Sequence, residues 1–223
     1  MGQQEMQQQS TTTFRQQGNE NQDAPVAPNT RRAAQSMNGA TLWRPEFEHD
    51  ACGTGFIAHV HGVRSHAIVS DALEILERLA HRGGTGSDPD TGDGAGVLVQ
   101  LPDRFFRKNV SFHLPKEGHY AVGMFFLPLD EAECSAAQAS IETYVKEEEF
   151  SFLGWRTVPT NLHACGNGAW ASVPSVRQLF ITWKETDTPA DVRLFVLRKR
   201  IERAMKEQGA EVYIPSLSSK TVV

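Results

Sequence analysis

The chain has 223 residues, 39% hydrophobic and 22% charged, proportions of an ordinary soluble globular domain with room for an appendage. Its formal net charge of -5 excludes a broad basic footprint for nucleic acid or an anionic membrane, and no apolar run approaches the roughly 20 residues that span a bilayer. Three cysteines, Cys52, Cys134 and Cys165, are too few and too scattered for a disulfide framework or a zinc cluster; with no secretory signal, they point to a reducing, cytoplasmic setting.

Residues 1–40 are rich in Gln, Asn, Ser and Thr and nearly lack large apolar side chains. Such a segment buries too little surface to offset its ordering entropy, so disorder is expected. Arg31-Arg32 is not followed by the apolar stretch of an export signal, and Glu5, Glu20 and Asp23 speak against an organelle transit peptide. The folded region is expected to begin near Trp43. Alternation around Phe56, Ala58 and Val60 suggests a strand over 55–60. A helix follows over about 66–80, with Ser65 as N-cap and Ile68, Ala72, Ile75 and Leu79 on one face. A loop rich in Gly and Asp spans 83–94, and the apolar runs 97–101 and 120–127 read as buried strands.

Asp130 and Glu133 have capping-box spacing for a helix reaching about Glu148. Residues 150–158 and 176–183 are further strands. Thr188-Pro189 opens a helix with Pro at its first position and Gly209 just beyond its end. Residues 211–214 and 221–223 read as closing strands. Strands and helices mix throughout without an internal repeat.

Three segments carry polar chemistry. Asp50-Ala51-Cys52-Gly53-Thr54-Gly55-Phe56 sets a cysteine beside glycines at a strand start, a place where a thiol is commonly structural. His81-Arg82-Gly83-Gly84 closes the first helix, where basic residues complement the carbonyl end and Gly83 can terminate it. Asp88-Pro89-Asp90-Thr91-Gly92-Asp93-Gly94-Ala95-Gly96 has the look of a calcium or phosphate loop. It lacks the closing Glu of the first and the Lys of the second, and both readings fail.

Taken together and in order, these segments resemble the N-terminal region of glutamate synthase large subunits. The resemblance runs through Cys52-Gly53-Thr54-Gly55-Phe56-Ile57-Ala58-His59, Leu79-Ala80-His81-Arg82-Gly83, Thr91-Gly92-Asp93-Gly94-Ala95-Gly96 and Gln100-Leu101-Pro102-Asp103-Arg104-Phe105-Phe106. It continues in Gly154-Trp155-Arg156-Thr157-Val158-Pro159, Arg177-Gln178-Leu179-Phe180-Ile181, Leu197-Arg198-Lys199-Arg200-Ile201-Glu202 and Tyr213-Ile214-Pro215-Ser216-Leu217-Ser218-Ser219. It implies an α+β fold: the four-layer αββα sandwich of the N-terminal-nucleophile hydrolases, incomplete at the C-terminus. Residues 1–51 would be a leader, cleaved between Ala51 and Cys52, and 52–223 the first part of a class II glutamine amidotransferase domain.

The same resemblance makes Cys52 the nucleophile that attacks the side-chain amide of glutamine through a thioester. Arg82 becomes a residue that lines the site and orients its reactants. A terminal cysteine suits the task, because its own α-amino group, with a reference pKa of about 7.7–8.0, can serve as base. A peptide nitrogen cannot, so a leader must come off first. The ammonia released would reductively aminate 2-oxoglutarate elsewhere in the large subunit, with FMN and an iron–sulfur cluster and alongside a small reductase subunit. No cofactor and no metal ligand is assigned to the present residues.

In the family, an Arg-Phe-Ser-Thr-Asn-Thr segment holds the substrate carboxylate and a His-Asn-Gly-Glu segment forms the oxyanion hole; neither occurs here. Asn167-Gly168 precedes the Ser216–Ser219 strand, the wrong order for that hole, and reads as a loop turn, while Asn38-Gly39 falls in the leader. The expectation is therefore a truncated chain without glutaminase activity of its own. Amidophosphoribosyltransferase and asparagine synthetase share the terminal Cys and His-Arg-Gly element; the Thr91–Gly96 loop and the Ser216–Ser219 strand favour glutamate synthase. A non-catalytic relic that binds glutamine or a partner is the reading from another class.

Overall fold

The computed structural model describes residues 53–84, 91–170 and 172–223, all within one unit, Ala51–Val223. Helix α1 (His66–Arg78) runs into a single 3-10 turn (Ala80–Arg82), followed by strand β1 (Val99–Gln100), helix α2 (Asp103–Asn109) and strand β2 (Tyr120–Leu127). Then come helix α3 (Glu131–Glu147), strand β3 (Phe150–Thr157), a second 3-10 turn (Leu162–Ala164) and the one-turn helix α4 (Asn167–Trp170). Strand β4 (Ser175–Trp183), helix α5 (Ala190–Glu207) and strands β5 (Tyr213–Ser218) and β6 (Thr221–Val222) complete the order. Among the described residues no helix is long and apolar enough to cross a membrane.

The core is an antiparallel sheet in the order β3-β4-β2-β5. Strand β2 is apolar along its whole length because both its faces are covered. Ala121, Phe125 and Leu127 point to one side with Leu179 and Ile181 of β4, under the helices α3 and α5. Tyr120, Val122 and Met124 point to the other with Phe180, against Leu101, Phe106, Leu114 and Val222. The period-2 alternation of a strand thus feeds two separate cores. The two helices offer Cys134, Ala137, Ile141 and Val145 and Leu194, Leu197, Ile201, Ala204 and Met205, the spacing of a single helical face.

Pairing of β2 with β4 is unbroken from Tyr120↔Thr182 to Leu127↔Ser175. The pairing of β3 with β4 shifts between Phe152 and Gly154. At that irregularity a Cβ on Gly154 would lie 2.4 Å from the Phe112 ring, so glycine lets Phe112 reach the edge of Phe180. Helix α3 is capped by Asp130, whose carboxylate accepts from Glu133 N at 2.9 Å, and α5 ends on Gly209 at φ 71°, with Ala210 N donating to Met205 O.

Several sequence expectations need correction. Residues 55–60 form no strand: Phe56 and Val60 are 93% and 94% exposed, and no described segment pairs with them, so the alternation has no ladder to join. The expected strand 97–101 shrinks to β1, which pairs only with the equally short β6, Val99↔Val222 and Gln100↔Thr221. Pro189 is the N-cap of α5 and lies outside its first turn. Strand β5 starts two residues later than read and runs through Ser218. Helix α2 was not foreseen.

Helix α2 owes its placement to a polar cluster beside the second core. Asp103 accepts from Arg107 Nε at 2.9 Å and from the Tyr120 hydroxyl at 3.0 Å, and Arg107 also donates to the carbonyls of Leu114 and Pro115. The bond from Arg107, followed by that from Tyr120, holds the Asp103 carboxyl below its ordinary range against the opposing cost of burial. A carboxylate whose folded pKa is depressed stabilises the fold above its unfolded pKa, and the contribution disappears as pH falls through the folded value. The stability difference between wild type and Asp103→Asn should therefore be widest near neutral pH and close below about pH 4. Urea unfolding of both proteins from pH 7 to pH 3 checks this; a difference constant over that range would show the charge to be irrelevant.

Candidate functional site

Helix α1 presents Ile68, Ala72, Ile75 and Leu79 as its half-buried face, and Ser65 caps it, accepting from Ala67 N at 3.0 Å. Its last turn tightens: Leu79 N is shared between Ile75 O and Leu76 O, Arg82 N donates to Leu79 O at 2.8 Å and Gly83 N to Ala80 O at 3.2 Å. The residues after Cys52 lie flat on this face. A Cβ on Gly55 would stand 2.6 Å from Ile75 Cγ2. One on Gly53 would stand 3.1 Å from Leu79 Cδ2 and 3.4 Å from Cβ and Cγ of Arg82. Glycine at both positions allows this approach.

Cys52 and Ala51 lie outside the described residues, as do residues 1–50, with Asn38-Gly39, and 85–90, with Asp88 and Asp90. Arg82 is described: it sits exposed on the 3-10 turn. Its guanidinium forms no ion pair or hydrogen bond among the described residues. The structure therefore brings Arg82 beside the residue that follows Cys52.

The Thr91–Gly96 loop joins the same region. Gly84 N donates to Asp93 Oδ2 at 2.8 Å, and Asp93 N donates to Gly84 O at 3.0 Å. On its other side, Thr91 Oγ1 accepts from Ala169 N at 3.3 Å. Asn167-Gly168, read as a loop turn, opens the one-turn helix α4, with the Gly168 backbone against Thr91. Nothing in the composition of these segments announced that they meet; the glycines were the only visible signal of close approach.

The Ser216–Ser219 segment turns out to shape the chain. Ser216 Oγ accepts from Val223 N, Ser218 Oγ accepts from Lys220 N and Thr221 N, and Ser219 donates to Asp191. These bonds make the corner from β5 to β6. Lys220, 2.5 Å from Asp191, holds that carboxyl below its ordinary range, aided by Ser219 and opposed by burial.

Two surface depressions lie among the described residues. One, of about 330 Å³, lies between Asp191, Phe195, Arg198 and Lys220; the other, of about 750 Å³, lies between Leu129, Trp170, Pro174 and Tyr213. Neither is lined by Arg82 or by residues 53–55. Among the described residues no three His, Cys, Asp or Glu side chains gather to hold a metal ion. Cys134 is buried in the α3 core contact and Cys165 is exposed, both as free thiols.

Comparison with known proteins gives the frame for this geometry. The family model described as glutamine amidotransferases class-II matches residues 52–223. The NADPH glutamate synthase large chain of Bacillus subtilis is 46% identical over 186 residues, covering 82% of this chain and 12% of the relative. The ferredoxin-dependent glutamate synthase 1 (chloroplastic/mitochondrial) of Arabidopsis thaliana is 39% identical over 79% of this chain and 11% of its own length. The NADPH glutamate synthase large chain of Azospirillum brasilense is 36% identical over 91% and 14%. The chain thus spans only about an eighth of the length of the relatives it matches.

Proposed function

The chain belongs to the class-II glutamine amidotransferases, and from that membership we propose that it carries the nucleophile side of a glutaminase site, with Cys52 as nucleophile and Arg82 as an orienting residue. One observation carries the reading: the family match begins at Cys52 itself, and the next residue, Gly53, rests against the stem of Arg82, whose guanidinium has no hydrogen bond or ion pair among the described residues.

In this reading residues 1–51 are a disordered leader that is cleaved off, and the α-amino group of Cys52 becomes the base. It takes the thiol proton as Sγ bonds to the amide carbon of the glutamine side chain. The C–N bond breaks, the proton leaves with ammonia, and a thioester remains. Water hydrolyses the thioester to glutamate and restores the thiol. The thiol is intrinsically nucleophilic and a base with a pKa of about 8 can deprotonate it near neutral pH. The guanidinium of Arg82 orients the reactants from the turn beside Gly53.

The likeness to glutamate synthases extends the proposal. The ammonia passes to a second site of a longer polypeptide, where 2-oxoglutarate is reductively aminated in the cytoplasm, with electrons that a small reductase subunit can supply. FMN and an iron–sulfur cluster belong to that second site. The described residues offer the cluster no set of donors, and no step of the glutaminase needs either group. For the fold we propose the αββα sandwich: a sheet covered by α3 and α5 on one face and by α2 and the short β1–β6 pair on the other is consistent with part of it.

N-terminal sequencing and intact mass of active full-length protein test the reading. The mature chain is expected to start at Cys52. A mature chain that starts at any other residue would remove the proposed base and with it the mechanism.

A further inference from the structure

Resting on that reading, we infer that Asp93 is a positioning residue of the glutaminase site: its carboxylate holds the backbone of Gly84, and through it the Arg82 turn, in place beside the segment that leads from Cys52. The argument starts from how weakly α1 is otherwise held. The helix has no buried residue. Among the described residues, the hydrogen bonds and ion pairs that tie 53–84 to the rest of the fold are few. One is the exposed pair Arg64–Glu117, a kind of contact that fixes little. The others are the two bonds exchanged by Gly84 and Asp93.

The Asp93 loop, in contrast, is anchored. Thr91 accepts from Ala169 in α4, which leads into β4, and a Cβ on Gly96 would lie 3.7 Å from Val223, next to β6. Asp93 is thus the link between a loop fastened to the core and the turn that carries Arg82. Its carboxylate oxygen accepts from Gly84 N at 2.8 Å, two residues from Arg82. Gly83 and Gly84 would leave that turn free to swing without it. Asp93 touches no reacting atom in this account; it sets where Arg82 stands.

The test is made in the full-length mature protein with Asp93→Ala and Asp93→Asn. Asn keeps an oxygen able to accept from Gly84 N, whereas Ala removes the acceptor. Misplacing an orienting group by about 1 Å can cost on the order of 10²-fold in rate. Asp93→Ala should therefore lower glutamine-dependent kcat/KM by about 10- to 100-fold, with ammonia-driven turnover and the melting transition unchanged. Asp93→Asn should restore most of the loss. Wild-type kcat/KM in Asp93→Ala overturns the inference, as does equal impairment of both variants, which would make the charge the active feature. A parallel fall in ammonia-driven turnover also overturns it, since the role would then be general folding. A Cys52→Ala control that still turned over glutamine would indict the glutaminase reading instead, so the two failures are told apart.

Discussion

Cys52→Ala in the full-length protein is expected to remove glutamine-dependent turnover, by on the order of 10⁶-fold as for other lost nucleophiles, and to leave turnover on added ammonia at its wild-type rate. The side chain is small and Ala keeps the α-amino group, so the substitution deletes the sulfur and little else. Without Sγ no thioester can form, and a water held near the same amine has no comparable nucleophilicity. Gly53 and Gly55, which fit the chain onto Ile75 and Leu79, are untouched, so the helix contact survives. Steady-state assays with glutamine and with ammonium as alternative nitrogen sources separate the two activities. If both fell together, Cys52 would serve the architecture and the proposed mechanism would be lost.

The second large effect concerns stability. Phe180→Ala is expected to destabilise the fold by about 3–5 kcal/mol, the usual cost of emptying an aromatic core position. Phe180 is fully buried in β4. Its ring meets Phe106 at 5.0 Å, Phe112 at 5.3 Å and Tyr120 at 6.4 Å between centroids. Those rings come from α2, from the loop after it and from β2, so the cavity would be walled by three separate segments and could collapse only by moving them all. A domain of this size has a net stability of about 5–15 kcal/mol, of which this is a large share. Phe195→Ala, at a residue 59% exposed on α5, serves as the control and should change stability by less than about 0.5 kcal/mol. Urea denaturation of the two variants decides the matter: similar midpoints would show that Phe180 is not the keystone of this face.

Much of the sheet was legible beforehand because its signals are local. The continuous apolar run of β2, the Asp130 cap of α3 and the Gly209 stop of α5 each depend on a few neighbouring residues. The misreadings arose where structure depends on a partner. Alternation around Phe56 and Val60 states which face could be buried, but burial needs a second strand, and none of the described segments supplies one. Likewise β1 is only as long as β6 permits. Helix α2 lacks a side-chain cap, since Pro102 at its N-cap makes no side-chain bond, and its seven residues carry too little periodicity to declare themselves. At the site, Cys52 and Arg82 came from resemblance. The seat of Gly53 on Arg82 and the bond of Asp93 to Gly84 could not be read, because a glycine's neighbours leave no trace in its own sequence.

The strand order β3-β4-β2-β5 also has a meaning for synthesis on the ribosome. Of the four strands, β2 is made first, yet it ends in the interior with neighbours made later on both sides. Its partner Ile181 emerges only after α3 and β3, and Leu217, opposite Gly123, only after α5 as well. The most apolar of the described strands therefore leaves the ribosome with both backbone edges open, one until β4 is made and the other until β5 follows. Such edges are the templates on which chains associate wrongly. Helix α3, which follows β2 directly in the chain, is the first element available to cover one face of that strand while its edges wait.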